Sequence, residues 1–204
     1  GHFRSERRPG MPLGMTSTPP PDSGCDALHM PTLPRTTSSA YRSAMNEWFV
    51  VNVADAPALR HEVAGTYVKF ESSEARFPQI GVNIHVLQPG EPAGKYHRED
   101  AQEDFLVLGG ECLLIVDDEE RRLRTWDFFH CPPGTDHILV GAGDGPCAIL
   151  MIGARGPDLA IHYPVNARAA RYGASVAKPT DSPREAYADW PSVLTETRLE
   201  WPLR

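Results

Sequence analysis

From Glu47 onward the apolar residues come in short runs, many alternating with polar positions, and turn residues cut the runs at regular intervals. The pattern predicts strands over 48–53, 67–71, 79–87, 94–97, 103–108, 112–116, 121–124, 127–131, 137–140 and 148–152. These stretches are rich in Val, Ile, Leu, Phe and Tyr, the side chains that suit a pleated, half-buried surface. Pro89 with Gly90, Gly109 with Gly110, Asp117 with Asp118, Pro133 with Gly134, and the Gly143–Gly145 stretch supply the turns. Helical periodicity is missing between the runs, so the reading is an all-β barrel or sandwich and not an alternating α/β fold.

The two ends of the chain depart from this pattern. Residues 1–44 hold seven of the 20 prolines, much Ser and Thr, and few core formers. Such a segment cannot offset the entropy of ordering it, so disorder is expected there. Met45 is read as a natural start, with the upstream stretch as non-native sequence. After Gly153 the pattern weakens into an arm, 154–204, with one short helix expected near 183–189. Trp190 and Trp201 argue that this arm packs on the barrel or on a partner subunit. The organisation is therefore 1–44, a barrel over 45–153, and an arm.

Composition narrows the classes. The chain has 204 residues, enough for one well-cored domain, and a net charge of −7. An acidic chain has no electrostatic reason to bind nucleic acid or anionic membrane. No apolar run approaches the roughly 18 residues of a membrane span. No apolar stretch follows the basic residues near the N-terminus, so no signal peptide is expected. Cys25, Cys112, Cys131 and Cys147 follow no zinc or redox spacing. A reducing, cytoplasmic setting without disulfides is the reading. Phosphate-binding glycine loops and nucleophile elbows are missing as well.

The chemistry concentrates in "PGEPAGKYHREDAQEDFLVLGGE" and "TWDFFHCPPGTDHILVG". By strand parity Lys95, His97 and Glu99 share one face, and Glu103 begins the matching face of the next strand. His137 opens a strand after the Pro132-Pro133-Gly134 turn. Two imidazoles and a carboxylate brought together form a facial triad suited to Fe(II) or Mn(II), with open positions for substrate. Lys95 is read either as a holder of an anionic substrate group or as the partner of Glu99 or Glu103. His85 is expected to be a satisfied structural histidine that could line a pocket, and His130 to be strand filler. Cys131 is expected to be a buried small hydrophobe. Tyr96, Phe105, Trp126, Phe128 and Phe129 are taken as core or interface aromatics. His162, Tyr163 and Arg168 are candidates for covering the barrel mouth or a dimer contact. Residues 117–120 are read as a solvated turn.

These residues resemble the cupin superfamily, whose first motif runs G-x5-H-x-H-x(3,4)-E-x6-G and whose second runs G-x5-P-x-G-x2-H-x3-N. His97, Glu99, Glu103 and Gly110 match the first, with Gly90 displaced by one residue. Pro132, Gly134 and His137 match the second. Trp126-Asp127 stands where the family usually has Gly-Asp, and Gly141 stands in place of Asn. The resemblance covers about 90–141 in its motifs and implies a double-stranded β-helix, the jelly-roll barrel. It also implies a divalent metal ion on His97, Glu103 and His137. Fe(II) or Mn(II) is favoured, with Zn(II) or Ni(II) as alternatives.

Glu99 occupies the position of the family's second metal-binding His. It is expected either to be a fourth ligand or to act as a general base next to the metal, and Lys95 is the other candidate catalytic residue. The chain is similar to the small mannose-6-phosphate-isomerase-like cupins. This implies an oxygenase-type or isomerase-type enzyme acting on a small polar or aromatic molecule. The alternative is a non-catalytic binding or sensing barrel. A homodimer is the expected assembly.

Overall fold

In a computed structural model of the protein, residues 48–71 and 76–199 are described. The segment 1–44 and Trp201 lie outside them, and so do the expectations placed on both. Eight of the ten expected strands form, with small shifts at their ends. They are β2 (Gly65–Lys69), β3 (Ile80–Leu87), β5 (Glu103–Gly109), β6 (Glu111–Val116), β7 (Glu119–Arg124), β8 (Phe128–Cys131), β9 (His137–Ala142) and β10 (Cys147–Ala154). To these the structure adds β1 (Ala58–His61), the two-residue β4 (Arg98–Glu99) and β11 (Ile161–His162), and β12 (Leu194–Thr197).

Two expected strands are corrected. The stretch 48–53 is irregular and leads into a single 3-10 turn, Val53–Asp55, capped by the Asn52 side chain. The stretch 94–97 is a loop held by two isolated bridges, Pro92 to Val140 and His97 to His137. The helix expected near 183–189 is one turn, α2 (Pro183–Ala186), with Ser182 as its cap and Pro183 in its first turn. A second short helix, α1 (Ala167–Ala170), starts at Asn166, whose carboxamide accepts from the Arg168 and Ala169 amides. The acidic run 117–120 is half turn and half strand, because Glu119 and Glu120 open β7.

The strands build a seven-stranded sheet, in the order β12-β1-β2-β3-β10-β5-β8, that faces a three-stranded sheet, β7-β6-β9. Every ladder is antiparallel. Alternation explains what lies between the sheets. Leu87, Phe105, Val107, Ile149 and Met151 point inward from the large sheet and meet Cys112, Leu114 and Leu139 of the small one. The runs of β6 and β9 are apolar at nearly every position because their outer faces are covered too. Ile115, Ile138 and Val140 pack outside against Tyr96, Ala169 and Ala174 of the loop and arm. The exposed strand β7, "EERRLR", carries charge along a sheet edge, which blocks edge-to-edge pairing.

The arm packs on its own barrel. β12 adds to β1 as the outermost strand, and β11 pairs with β4. One small residue is required where the sheets close. A Cβ at Gly141 would come within 2.1 Å of the Gln88 carbonyl oxygen, which accounts for glycine at this motif position. Among the described residues no helix is long and apolar enough to cross a membrane.

Candidate metal centre

The loop before β4 and the start of β9 bring the two histidines together. His97 and His137 exchange both backbone hydrogen bonds, 3.1 Å from the His97 amide and 2.8 Å from the His137 amide. Such a reciprocal pair sets side chains next to each other, and the imidazole centroids lie 4.9 Å apart. Glu103 enters from the inner face of β5, between Cys131 of β8 and Gly153 of β10 in register. Glu99 comes from β4. Its backbone carbonyl accepts from Gly134, tying β4 to the Pro-Pro-Gly turn that precedes His137.

The candidate ligand atoms converge. One atom each from His97, Glu103 and His137 lies within 4.8 Å of the other two. Glu103 Oε2 is 3.4 Å from His137 Nε2 and 3.9 Å from His97 Nε2. Glu99 Oε1 stands 3.7 Å from His97 Nε2.

The histidine tautomers follow from their outer hydrogen bonds. His97 Nδ1 donates to the Lys95 carbonyl at 2.7 Å, and His137 Nδ1 donates to the Thr135 carbonyl at 3.1 Å. A carbonyl can only accept, so the proton sits on Nδ1 and the Nε2 lone pair faces the cluster. Burial keeps both rings neutral. It lowers the His137 pKa to about 4, and together with the neighbouring His137 it also lowers that of His97.

Glu99 is 4% exposed, and its Oε1 has no hydrogen-bond partner. Burial first, and then the Glu103 charge, push its pKa up to about 8. A buried carboxylate oxygen without a donor, facing two neutral imidazole nitrogens and a second carboxylate, fits a divalent cation.

These four residues line one part of a small cavity that opens to solvent. Phe105, Leu139 and Met151 form its apolar lining. The Phe105 and Phe129 rings stack beneath His137. Tyr67, Asn83 and His85 supply a polar wall, and Tyr187 of the arm reaches the cavity from outside the barrel.

His85 proves to be both of the things expected of it. Its Nε2 donates to the Ala64 carbonyl at 2.5 Å, and its ring lines the cavity. His130 faces outward and pairs with Asp104 at 2.7 Å. Cys131 is buried, 3.4 Å from His137 Nδ1, and burial holds its thiol pKa at about 12. Cys112 and Cys147 are likewise buried free thiols. In the arm, Tyr163 is fully buried with its ring 5.9 Å from that of His97, whereas His162 pairs with Asp181 and Arg168 with Glu120.

Lys95 is a correction. It does not share a face with Glu99, because 94–97 is a loop and strand parity fails there. Its ammonium is buried beneath the arm, 2.8 Å from Asp189 and 3.1 Å from the Gly173 carbonyl, and 4.8 Å over the Trp190 ring. It does not line the cavity. Sequence reasoning passed over Asn83 and Tyr187. Asn83 was within reach, since it is two residues before His85 in "GVNIHVLQ" and so shares its face. Tyr187 carries no such signal.

An antiparallel barrel of two sheets with a His-Glu-His cluster inside is the architecture of a cupin. Residues 83–153 match the family model described as a cupin domain, and the chain carries that domain. A search of the curated proteins finds no match. Among solved structures the chain is similar to the polyketide cyclase RemF from Streptomyces resistomycificus, at 15% identity over 72% of this chain and 96% of that one, with a TM-score of 0.50. It is also similar to a sugar phosphate isomerase of the cupin superfamily from Silicibacter pomeroyi, at 21% identity over 65% and 75%, with a TM-score of 0.45. A further structure, from Acidithiobacillus ferrooxidans, is matched over 65% of its own length and 48% of this chain, at 20% identity and a TM-score of 0.43. At these identities the likeness is one of fold.

Proposed function

We propose that this cupin is a metal-dependent enzyme that transforms a small polar or aromatic molecule inside its barrel by oxygenase-type chemistry. The observation that carries the reading is the convergence of His97, Glu103 and His137, with both Nε2 lone pairs set by backbone carbonyls behind them. Those three residues would hold Fe(II) or Mn(II), the ions that a mixed imidazole and carboxylate set favours over softer ones. Such an ion supplies a Lewis acid for a substrate oxygen and, as iron, a centre for oxygen chemistry.

The remaining work belongs to the chain itself. Phe105, Leu139 and Met151 exclude bulk water from the site, which strengthens every polar contact within it. Glu99 stands at the cavity wall, its Oε1 3.7 Å from His97 Nε2. A divalent ion held by the cluster would favour its ionised form, which can take a proton from a carbon of a bound substrate. This capacity favours an isomerase-type proton transfer as the alternative chemistry.

Elemental analysis tests the reading on protein purified without chelators or nickel resin, alongside Glu103→Ala and Glu99→Ala. Near-stoichiometric iron or manganese, lost in Glu103→Ala, is the expected result. Loss in Glu99→Ala as well would make Glu99 a fourth ligand, whereas retention would leave it as the acid or base. No metal in the natural sequence, even after reconstitution, would replace the enzyme with a metal-free binding barrel.

A further inference from the structure

Lys95 lies outside the cavity, yet the arm holds this residue from both ends. Its Nζ donates to Asp189 at 2.8 Å and to the Gly173 carbonyl at 3.1 Å, and stands 4.8 Å over the Trp190 ring. Its amide donates to the Tyr187 hydroxyl at 3.0 Å. The side chain is fully buried, so these partners replace water around the ammonium.

The peptide group that follows carries the consequence. Its N–H, on Tyr96, donates to the Ala174 carbonyl of the arm at 2.7 Å. Its C=O, on Lys95, accepts from His97 Nδ1 at 2.7 Å. A peptide group is planar and stiff, so whatever fixes its N–H also aims its C=O. The Gly173 and Ala174 carbonyls are in turn placed by the end of α1. Gly173, with φ of 68°, closes that helix: its amide returns to the Ala170 carbonyl, and the Ala174 amide returns to the Ala169 carbonyl.

His137 is oriented from elsewhere. Its Nδ1 donates to the Thr135 carbonyl, in the turn between β8 and β9 of the barrel. One imidazole of the cluster is therefore aimed by the barrel and the other by the arm.

We infer that the arm sets the tautomer and ring orientation of His97 through Lys95, and that Lys95 and Asp189 are positioning residues for the candidate metal centre. Neither lines the cavity. Without Asp189 the ammonium loses its charged partner, the Lys95–Tyr96 peptide can turn, and the Lys95 carbonyl moves off His97 Nδ1. The ring is then free to rotate, or to carry its proton on Nε2, the nitrogen that faces Glu103. A protonated Nε2 has no lone pair for a metal ion. This last consequence rests on the metal-enzyme reading, whereas the positioning of the ring does not.

Imidazole 15N NMR of metal-free protein tests the positioning, because it reads the tautomer of each histidine. In the natural sequence His97 and His137 should both carry the proton on Nδ1. Asp189→Ala should move His97 toward a mixture of tautomers and leave His137 as it was. Lys95→Met keeps most of the buried stem and should do the same. Asp189→Glu returns a carboxylate at a largely exposed position and should restore the Nδ1 form. Mn(II) titration of the same proteins tests the consequence. Affinity should fall about tenfold in Asp189→Ala and Lys95→Met, and stay within about threefold in Asp189→Glu. Glu71→Ala, which strips the partner of Arg155 without touching Lys95 or Asp189, is the control for lost stability and should change neither readout.

A His97 tautomer unchanged in both Asp189→Ala and Lys95→Met would overturn the inference. So would an equal change at His137, an effect of Glu71→Ala as large as that of Asp189→Ala, or Mn(II) bound as tightly by Asp189→Ala as by the natural sequence. If the natural sequence binds no Mn(II), the metal-enzyme reading fails by itself, and the ring spectra still decide whether the arm positions His97.

Discussion

The barrel and the arm that follows it hold their shape by different means. In the barrel, position is set by a repeating rule: alternate residues of β3, β5 and β10 face inward, and ladder hydrogen bonds fix the register. In the arm, two short ladders, β12 on β1 and β11 on β4, are supplemented by single contacts. Asp189 and Trp190 hold Lys95, the Pro191 carbonyl accepts from His61 Nε2 at 2.7 Å, and the Tyr187 hydroxyl accepts from the Lys95 amide at 3.0 Å. The barrel supplies the His-Glu-His cluster that could hold a metal, and the arm supplies Tyr187 to the cavity and Tyr163 behind His97. A repeating rule tolerates the loss of one contact, whereas an arm held by a few contacts does not.

The sharpest way to break this contrast is a pair of substitutions. Ile149 is fully buried between the sheets, and Ile149→Ala should cost about 3 kcal/mol and lower the melting temperature of the whole molecule. Asp189→Ala strips the carboxylate from a buried ammonium and should cost about 1–2 kcal/mol locally. Hydrogen exchange should then speed up in 161–199 while the β3, β5 and β10 amides stay protected. Equal loss of protection in both regions would show that arm and barrel unfold as one unit.

The same contrast explains what was legible in the sequence. Glu103 and His137 could be placed because each opens a true strand whose parity and turn signals are local. Lys95 was misplaced because 94–97 carries a strand-like composition but hydrogen-bonds as a loop, with its outer side covered by the arm. No pattern within "KYH" announces Asp189 or Gly173, which lie more than 75 positions further along. β1 and β12 were missed for the same reason. Each is short, and β12 is a strand only by pairing with β1, which itself lies between β12 and β2. Tyr187 reaches the cavity from a segment that has no periodicity to read.

Glu99 sits where the two regions meet, since β4 pairs with β11 of the arm. Its charge state makes the junction measurable. In the metal-free folded protein Glu99 keeps its proton to about pH 8, against 4.5 for an ordinary glutamate. Between those values the folded chain holds more protons than the unfolded one, so stability falls as pH rises. His85 and His137 act in the opposite sense. Both stay neutral to about pH 4 when folded and take up protons below 6.5 when unfolded, so their contribution rises up to that pH and is flat above it.

The window from pH 6.5 to 8 therefore isolates Glu99. Chelator-treated protein should lose about 1–2 kcal/mol across it, and Glu99→Gln should remove that slope. Denaturant melts at half-unit pH steps measure both. A slope that persists in Glu99→Gln would place the titrating group elsewhere.

The smallest effect concerns Trp126, which with Asp117 is one of two non-glycine residues among those described that take a positive φ. Trp126 has φ of 74°, in the left-handed region, at the position where the motif usually carries glycine. Its amide donates to the Val107 carbonyl at 2.8 Å, and Asp127 caps the turn by accepting from the Arg124 amide. The turn therefore dictates the conformation, whatever residue occupies it. Trp126 is 72% exposed, so its side chain recovers little of the strain through packing. A left-handed non-glycine residue costs about 1–2 kcal/mol, partly offset by the extra entropy that glycine loses on folding. Trp126→Gly should thus stabilise the protein by about 0.5–1 kcal/mol, raising its melting temperature by roughly 2 °C. Trp126→Ala keeps the same strain and should give no gain. If alanine stabilised the barrel as much as glycine, the relief would come from removing an exposed indole, and the backbone argument would fail.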